Sequence, residues 1–381
     1  MEFLSLNEQS KIDNRLHEFL EKINEDNVDN WELFVNQLYS KFWNPNTKWL
    51  CWSIPWKIIQ TLHFKKNKIH ILNKEMGLLS IVSADNQIAT TFSLIKENTE
   101  WVLDWQNSTI WKELTNSWFT EDTSDIQLRF FDKPEDHVLL NLLDTIKNNN
   151  KWISQKFVQN QLNDIIYVFG YDKYERALAN INITNESGLG GNCRGKLILF
   201  AGNPSLVKAD DHYFDIAYKK SVILHEMIHE YTLYDQYWNG CQTKISCSNN
   251  LLSEGIATYF QLEYLLDTNQ RKHSNIFKSK SCKKLMSGIE CALKYRGKML
   301  DLLDDIKFRE FDNSKEVSGS PAYLIGASLI DLIINLKGIE GLRVFWRDTC
   351  LKDNLRKNIC HISDEETFDK NKRKYLIKLV L

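Results

Sequence analysis

The sequence predicts an α+β protein of two domains, and three observations support this. The chain of 381 residues is too long for one ordinary domain of roughly 100 to 200 residues. Hydrophobic residues make up 43% of it, enough for real cores. Apolar residues recur every three or four positions in some segments and every second position in others. This pattern predicts helices and strands in separate parts of the chain. We expect one domain at residues 1–124 and a second at residues 125–381.

The N-terminal domain is predicted to begin with helices and to continue as an antiparallel meander. Apolar residues recur every three or four positions through the first forty residues. From Lys68 the runs "KIHIL", "GLLSIVSA", "QIATTFSLIK" and "EWVLDW" follow a strand period and are separated by turn signals. Tryptophans are dense here, which favours a packed core, with an apolar ligand pocket as the alternative. They are Trp43, Trp49, Trp52, Trp56, Trp101, Trp105, Trp111 and Trp118.

The second domain is predicted to place strands first and helices after them. The polar segment "TEDTSD", residues 120–125, is the best candidate for an interdomain linker. Strands are expected in "IQLRFF", "DIIYVFG" and "GKLILFAG", a long helix at about residues 137–157, and a short helix in "YDKYERALAN". From Leu251 onward nearly the whole chain has a helical pattern.

Charge and targeting signals argue against several classes of partner. The net charge of -2 comes from 48 basic and 50 acidic residues that are well mixed, so neither nucleic acid nor an anionic membrane is an expected partner. The N-terminus lacks signal-peptide features and no apolar run reaches ~18 residues, so we expect a cytoplasmic protein, with a processed or unusually exported form left open. Eight cysteines without a CxxC pair favour free thiols; only Cys241 and Cys247 are close enough in sequence to leave a disulfide open.

The strongest chemical signal is "HEMIH", which contains His225, Glu226 and His229. Residues four apart lie on one helix face, so both imidazoles can point at one metal ion. Glu226 is the next residue after His225 along the helix, so its carboxylate can reach a metal-bound water without being a ligand itself. Apolar flanks predict a buried helix, in which unpaired polar groups are costly. The pattern therefore favours a Zn²⁺ site with Glu226 as catalytic base over a chance match on an amphipathic helix.

Such a site needs a third protein ligand. Glu254 lies 25 residues beyond His229, at the start of a predicted apolar helix in "LLSEGIATYF", and is the preferred metal ligand. The alternative role for Glu254 is a first-turn carboxylate favoured by the helix dipole. Asp235 is the rival ligand, six residues after His229, but that arrangement needs a glycine where Thr232 stands.

"HEMIH" followed by "LLSEGIATYF" resembles the gluzincin zinc metallopeptidases, especially the peptidase MA-like group related in fold to thermolysin-like and aminopeptidase catalytic domains. The resemblance spans roughly residues 126–345. It implies a zincin-like domain with a small mixed sheet and a mostly helical half, in which the metal ligands are His225, His229 and Glu254. It also implies that "GKLILFAG" is an edge strand lining the substrate cleft.

The resemblance suggests one further catalytic residue and shows two departures. Tyr323, with Gly326 in "SPAYLIGASLIDLI", matches a tyrosine whose phenol stabilises the oxyanion in related enzymes; a core tyrosine is the alternative. Ser253 stands where the family often has Asn, a position behind the ligands. A GxMEN-type stretch is absent, which favours an endopeptidase or processing protease over an aminopeptidase.

Taken together, the sequence predicts a zinc-dependent peptidase acting on a peptide or protein substrate that lies antiparallel along residues 197–200. The alternative is a catalytically silent protein of the same fold that acts as a scaffold through its N-terminal domain. No oligomeric state is predicted.

Overall fold

The protein is mixed α+β and mostly helical, with small sheets. The computed structural model describes residues 49–51, 54–55, 64–71, 75–83, 89–97, 100–104, 112, 114–157, 164–171, 173, 191–193, 196–200, 213–233, 250–267, 278–312, 320–352 and 355–380, and positions 10, 11, 14 and 17. Most of the predicted N-terminal helical region, most of the short helix in "YDKYERALAN", and Asp235, Cys241 and Cys247 lie outside the described residues.

The predicted antiparallel meander is confirmed. Strands β3 (Phe64–Ile71), β4 (Met76–Ser83), β5 (Ala89–Glu97) and β6 (Glu100–Asp104) pair in sequence order. Two short strands, β1 (Trp49–Cys51) and β2 (Ile54–Pro55), pair with each other before it. Leu78, Leu94 and Trp101 are buried, so Trp101 follows the core prediction for the tryptophans.

A second sheet of five strands has the order β10-β11-β9-β8-β7. Its strands are β7 (Phe119–Asp122), β8 (Ile126–Phe130), β9 (Ile165–Phe169), β10 (Gly191–Cys193) and β11 (Leu197–Phe200). All residues of β9 and β11 are buried, as expected for continuous apolar runs in central strands. The rings of Phe130 and Phe169 stack at 5.3 Å, and those of Phe169 and Phe200 at 4.9 Å.

The linker prediction for residues 120–125 is wrong, because this segment forms a β-hairpin. β7 pairs antiparallel with β8, with Phe119 opposite Phe130. The Thr123 hydroxyl accepts a hydrogen bond from the Ile126 N–H at 3.1 Å and closes the turn. β7 alternates between half-buried and exposed residues, and such a short polar edge strand has the composition of a linker.

Eight α-helices are described, mostly in the C-terminal half. They are α1 (Asp136–Phe157), α2 (Tyr213–Leu233), α3 (Asn250–Asp267), α4 (Lys280–Lys294), α5 (Asp305–Asp312), α6 (Pro321–Lys352), α7 (Leu355–Ile362) and α8 (Glu365–Val380). A 3-10 helix, Met299–Leu303, precedes α5. α3 packs against both α2 and α6 and is the centre of the helical half. The helices predicted at residues 137–157, around "HEMIH" and around "LLSEGIATYF" are confirmed.

α6 is interrupted at Gly338, whose φ of 69° breaks the helical path. By length and composition its Pro321–Asp348 part is apolar enough to cross a membrane, and no other helix among those described is. Within its most apolar window 56% of the residues are buried inside the protein. A core helix has the same composition, so this feature is weak support for a membrane span.

The residues group into two compact units. The first comprises 1–133, 166–190 and 199–203, and contains the meander and the β7–β8 hairpin. The second comprises 134–165, 191–198 and 204–381, and contains the helices. The predicted folding boundary at residue 124 stays a prediction.

Candidate metal centre

The helix that carries "HEMIH", α2, is buried along its C-terminal half. Every residue from 223 to 232 is buried. The Tyr231 hydroxyl donates to Asn150 Oδ1 at 2.8 Å, and Trp346 Nε1 donates to the Thr232 carbonyl at 3.0 Å, which ties α2 to α1 and α6. Polar side chains in this segment are removed from water and must find partners inside the protein.

The structure brings His225, His229 and Glu254 together. The two Nε2 atoms lie 3.2 Å apart, and Glu254 Oε2 lies 3.2 Å from His225 Nε2 and 3.5 Å from His229 Nε2. Among the described residues this is the one group of three or more potential ligands, with its ligand atoms all within 4.8 Å of one another.

These separations fit a bound metal ion. Donors held about 2.0–2.1 Å from one ion in tetrahedral geometry lie about 3.4 Å from each other, close to the spacing found here. Two imidazole nitrogens and a carboxylate oxygen facing one another repel unless a cation or protons lie between them. The group can therefore hold a metal ion. Sequence reasoning selected the same three residues.

The two carboxylates at this centre, buried Glu226 and partly buried Glu254, have different electrostatic surroundings. Burial raises the pKa of Glu226 to about 7, with nearby His225 lowering it and Glu254 raising it further. Burial also acts to raise the pKa of Glu254, but His229 and the hydrogen bonds of both histidines outweigh it and hold this pKa well below the usual range. Glu254 is thus suited to stay ionised as a ligand, and Glu226 to exchange a proton near neutrality.

The second ring nitrogen of each histidine is also bonded. His229 Nδ1 lies 3.3 Å from Ser253 Oγ, and His225 Nδ1 lies 3.2 Å from Gln261 Oε1. Sequence reasoning placed Ser253 behind the ligands but missed Gln261. Its signal was present: a polar residue seven positions after Glu254, two helical turns along the same face of an apolar helix.

Tyr323 lies beside the centre because α3 and α6 cross at two glycines. A Cβ on Gly255 would lie 2.6 Å from the Gly326 carbonyl carbon, and a Cβ on Gly326 would lie 2.3 Å from the Leu251 carbonyl oxygen. This close approach brings the Tyr323 ring to 6.3 Å from the His225 ring, nearly parallel at 14°. The catalytic role of Tyr323 stays a prediction.

One expectation about the substrate cleft is wrong. "GKLILFAG" forms β11, which is not an edge strand because β10 and β9 flank it. β10 is the edge of the sheet on this side, and it contacts α2. Its sequence, Gly-Asn-Cys, has low strand propensity, so the pattern gave no indication of a strand.

Neither a scan against protein-family models nor a search of curated proteins finds a match to this chain. A functional assignment therefore depends on the motif and on the geometry of the centre.

Proposed function

We propose that this protein is a zinc-dependent metallopeptidase of the gluzincin type, acting as an endopeptidase or processing protease through a zincin-like domain. The observation that carries the proposal is the convergence of His225, His229 and Glu254 beside the buried carboxylate of Glu226. Helix α2 supplies two ligands and a base, and helix α3 supplies the third ligand. This is the composition of a hydrolytic metal site.

The donor set favours zinc over the other common divalent ions. Calcium and magnesium prefer sites made of oxygen ligands, whereas two imidazoles and one carboxylate are typical of catalytic zinc. Three protein ligands leave a coordination position for water or substrate.

The residues of this chain have separate roles in the proposed reaction. His225, His229 and Glu254 would hold the zinc, which when bound would supply a Lewis acid for the scissile carbonyl and for a water molecule. Glu226 accepts the proton of the attacking water on its carboxylate and passes it to the leaving amine. The Tyr323 hydroxyl would donate a hydrogen bond to the oxyanion that forms and so stabilise it. β10 is the outermost strand on its side of the five-stranded sheet among the described residues, and its edge would pair with a substrate backbone.

Metal analysis of purified variants tests the centre. We expect about one zinc per chain in the wild type, loss of zinc in His225→Ala and Glu254→Ala, and retention in Asp235→Ala. Loss of zinc from Asp235→Ala together with retention in Glu254→Ala would show that Asp235 is the third ligand and that the gluzincin assignment is wrong.

Cleavage of unstructured peptides by the zinc-loaded wild type tests the activity. Fragments should appear with wild type and be absent with Glu254→Ala. Full zinc occupancy without cleavage of peptides or folded proteins would favour the scaffold alternative.

A further inference from the structure

Behind His225 lies a chain of buried hydrogen bonds that connects α3 to α2. His225 Nδ1 lies 3.2 Å from Gln261 Oε1, and Gln261 Nε2 donates to Ser221 Oγ at 3.0 Å. The Ser221 hydroxyl donates in turn to the Tyr218 carbonyl at 2.7 Å. Gln261 and Ser221 are both buried, so water does not compete for these bonds.

The direction of every bond in this chain follows from its last member. A backbone carbonyl can only accept, so the single hydroxyl hydrogen of Ser221 points at Tyr218. Ser221 Oγ must then accept from Gln261, which places the amide nitrogen of Gln261 towards Ser221 and its oxygen towards His225. An amide oxygen can only accept, so Nδ1 of His225 carries a hydrogen.

We propose that Gln261 is a positioning residue for the metal centre, which keeps the hydrogen of His225 on Nδ1 and so leaves the Nε2 lone pair facing Glu254 and His229. Ser221 fixes the orientation of the Gln261 amide. This inference rests on the proposed function, because a neutral imidazole ligates a metal through the nitrogen that lacks hydrogen.

A positioning role makes a demand on Gln261 that a packing role does not. Gln261 has to present a hydrogen-bond acceptor to His225, and its bulk alone is insufficient. Ser221 contributes through Gln261, because the hydrogen bonds recorded for its side chain go to Gln261 and to the Tyr218 carbonyl and not to a ligand. Removing it should therefore alter the metal centre from a distance.

Zinc affinity measured by competition with a chromophoric chelator tests both requirements. Gln261→Met keeps the size but removes the acceptor, and we expect zinc affinity to fall about 10- to 100-fold, the usual effect of losing a partner behind a ligand. Gln261→Glu restores an acceptor and should remain close to wild type. Ser221→Ala frees the amide to rotate and should give an intermediate loss.

A matched control lies on the same helix. Thr258 is buried three residues before Gln261, and its hydroxyl has no hydrogen-bond partner among the described residues. Thr258→Val should leave zinc affinity unchanged. Equal affinity in wild type and Gln261→Met would overturn the proposal, and so would an equal loss in Gln261→Met and Gln261→Glu, which would indicate packing alone.

A second readout does not depend on zinc. In metal-free protein labelled with ¹⁵N-histidine, the Nδ1–H signal of His225, assigned by its absence in His225→Ala, should be present in wild type and Thr258→Val and lost or shifted in Gln261→Met. If wild type binds no zinc, the proposed function fails, while this signal still decides whether Gln261 holds the hydrogen on Nδ1. An unchanged signal in Gln261→Met would refute the inference.

Discussion

Glu226 is buried and Glu254 is partly buried, and although the two carboxylates lie close together their surroundings shift their pKa values in opposite directions. Glu254 faces two imidazoles that favour its ionised form, and its pKa is held well below the usual range. Burial raises the pKa of Glu226 to about 7. A bound cation would favour the ionised form of both, so Glu226 would be available as a base at neutral pH.

We expect the Glu226→Gln variant to keep its zinc and to lose most of its peptidase activity. Glutamine has the same shape and can still accept a hydrogen bond, but it cannot take the proton of the attacking water. Zinc should remain bound at about one ion per chain, while peptide cleavage falls by at least ~10²-fold, the scale of general-base catalysis. Zinc content and initial cleavage rates measured on the same preparation check this. Undiminished cleavage in the variant would remove Glu226 from the mechanism.

At the residue scale, the sequence predicted the groups whose spacing is set by one helix or by a distinctive apolar context. His225 and His229 share a face because they are four apart, and Glu254 follows from its place in an apolar helix start. The sequence places Gln261 on the same face of α3 as Glu254, but its contacts with His225 and Ser221 could not be assigned, because they depend on how α2 crosses α3. That crossing is a tertiary property which a single sequence does not encode as a local pattern.

The crossing of α3 and α6 leaves no room for a side chain at Gly255 or Gly326. At Gly326 an added Cβ would meet the Leu251 carbonyl oxygen at 2.3 Å and the Gly255 Cα at 2.9 Å. Both obstacles are backbone atoms, so a rotamer change cannot relieve them. The helices themselves would have to separate, and Tyr323 would move with α6.

We therefore expect Gly326→Ala to destabilise the protein. Alanine gains about 1 kcal/mol over glycine in helix propensity, but overpacking against backbone costs about 1–3 kcal/mol or more, so the net effect should be a loss of stability. Thermal denaturation measures it, with Leu336→Ala on the exposed face of the same helix as a control expected within about 0.5 kcal/mol of wild type. A Gly326→Ala variant more stable than wild type would contradict the tight crossing.

A second contact between elements joins the starts of α2 and α4. Asp215 Oδ1 accepts from the Ser279 hydroxyl at 2.9 Å and from the Ser281 N–H at 2.7 Å. Burial acts to raise the pKa of Asp215, but these hydrogen bonds outweigh it and lower the pKa below 3.8. A lowered folded-state pKa stabilises the protein above the ordinary pKa, and this contribution is lost as pH falls through the folded-state value.

Asp215→Asn should accordingly lower the free energy of unfolding at pH 7 by about 1 kcal/mol, at the low end for bonds to a charged group because Asp215 is only partly buried. The difference from wild type should shrink as the pH falls below the ordinary pKa of an aspartate and through the lowered pKa of Asp215. Glu290→Gln, on an exposed position of α4, provides a charge-matched control with little expected effect at pH 7 or in acid. Denaturant unfolding at pH 7 and in acid makes the comparison, and a difference that grows on acidification would contradict it.

The element predictions succeeded where the apolar pattern was clear and failed at the short, mostly polar strands at the sheet edges. The helices around residues 137–157, "HEMIH" and "LLSEGIATYF" and the meander strands have clear apolar periods. β7 and β10 have four and three residues and lie at the two edges of their sheet, so few apolar side chains mark them. The β7 sequence Phe-Thr-Glu-Asp is mostly polar and half of its residues are exposed, which explains why a linker was predicted in place of a hairpin.

For the whole molecule, the decisive question is where an independently folding C-terminal part begins. A boundary at residue 124 would separate β7 from β8. Arg129 on β8 is buried, forms an ion pair with Asp122 on β7, and places Nη2 3.3 Å from Asp122 Oδ2. Trp118 also packs edge-on against Phe131, with ring centroids 5.2 Å apart. Cutting the hairpin therefore exposes one strand edge and leaves a buried guanidinium without its carboxylate.

Two fragments that differ by residues 114–123, which comprise β7 and the segment before it, test this boundary: residues 114–381 and residues 124–381. Both retain α2 and α3, so both should bind zinc if folded. The shorter fragment loses the partner of Arg129, which costs about 1–3 kcal/mol, and should melt roughly 3–10 °C lower. Thermal denaturation and metal analysis of the two fragments measure this, with Asp122→Ala in the longer fragment showing how much of the loss comes from the ion pair. Equal melting temperatures would mean that β7 is dispensable and that the folding boundary does lie at residue 124, as the sequence predicts.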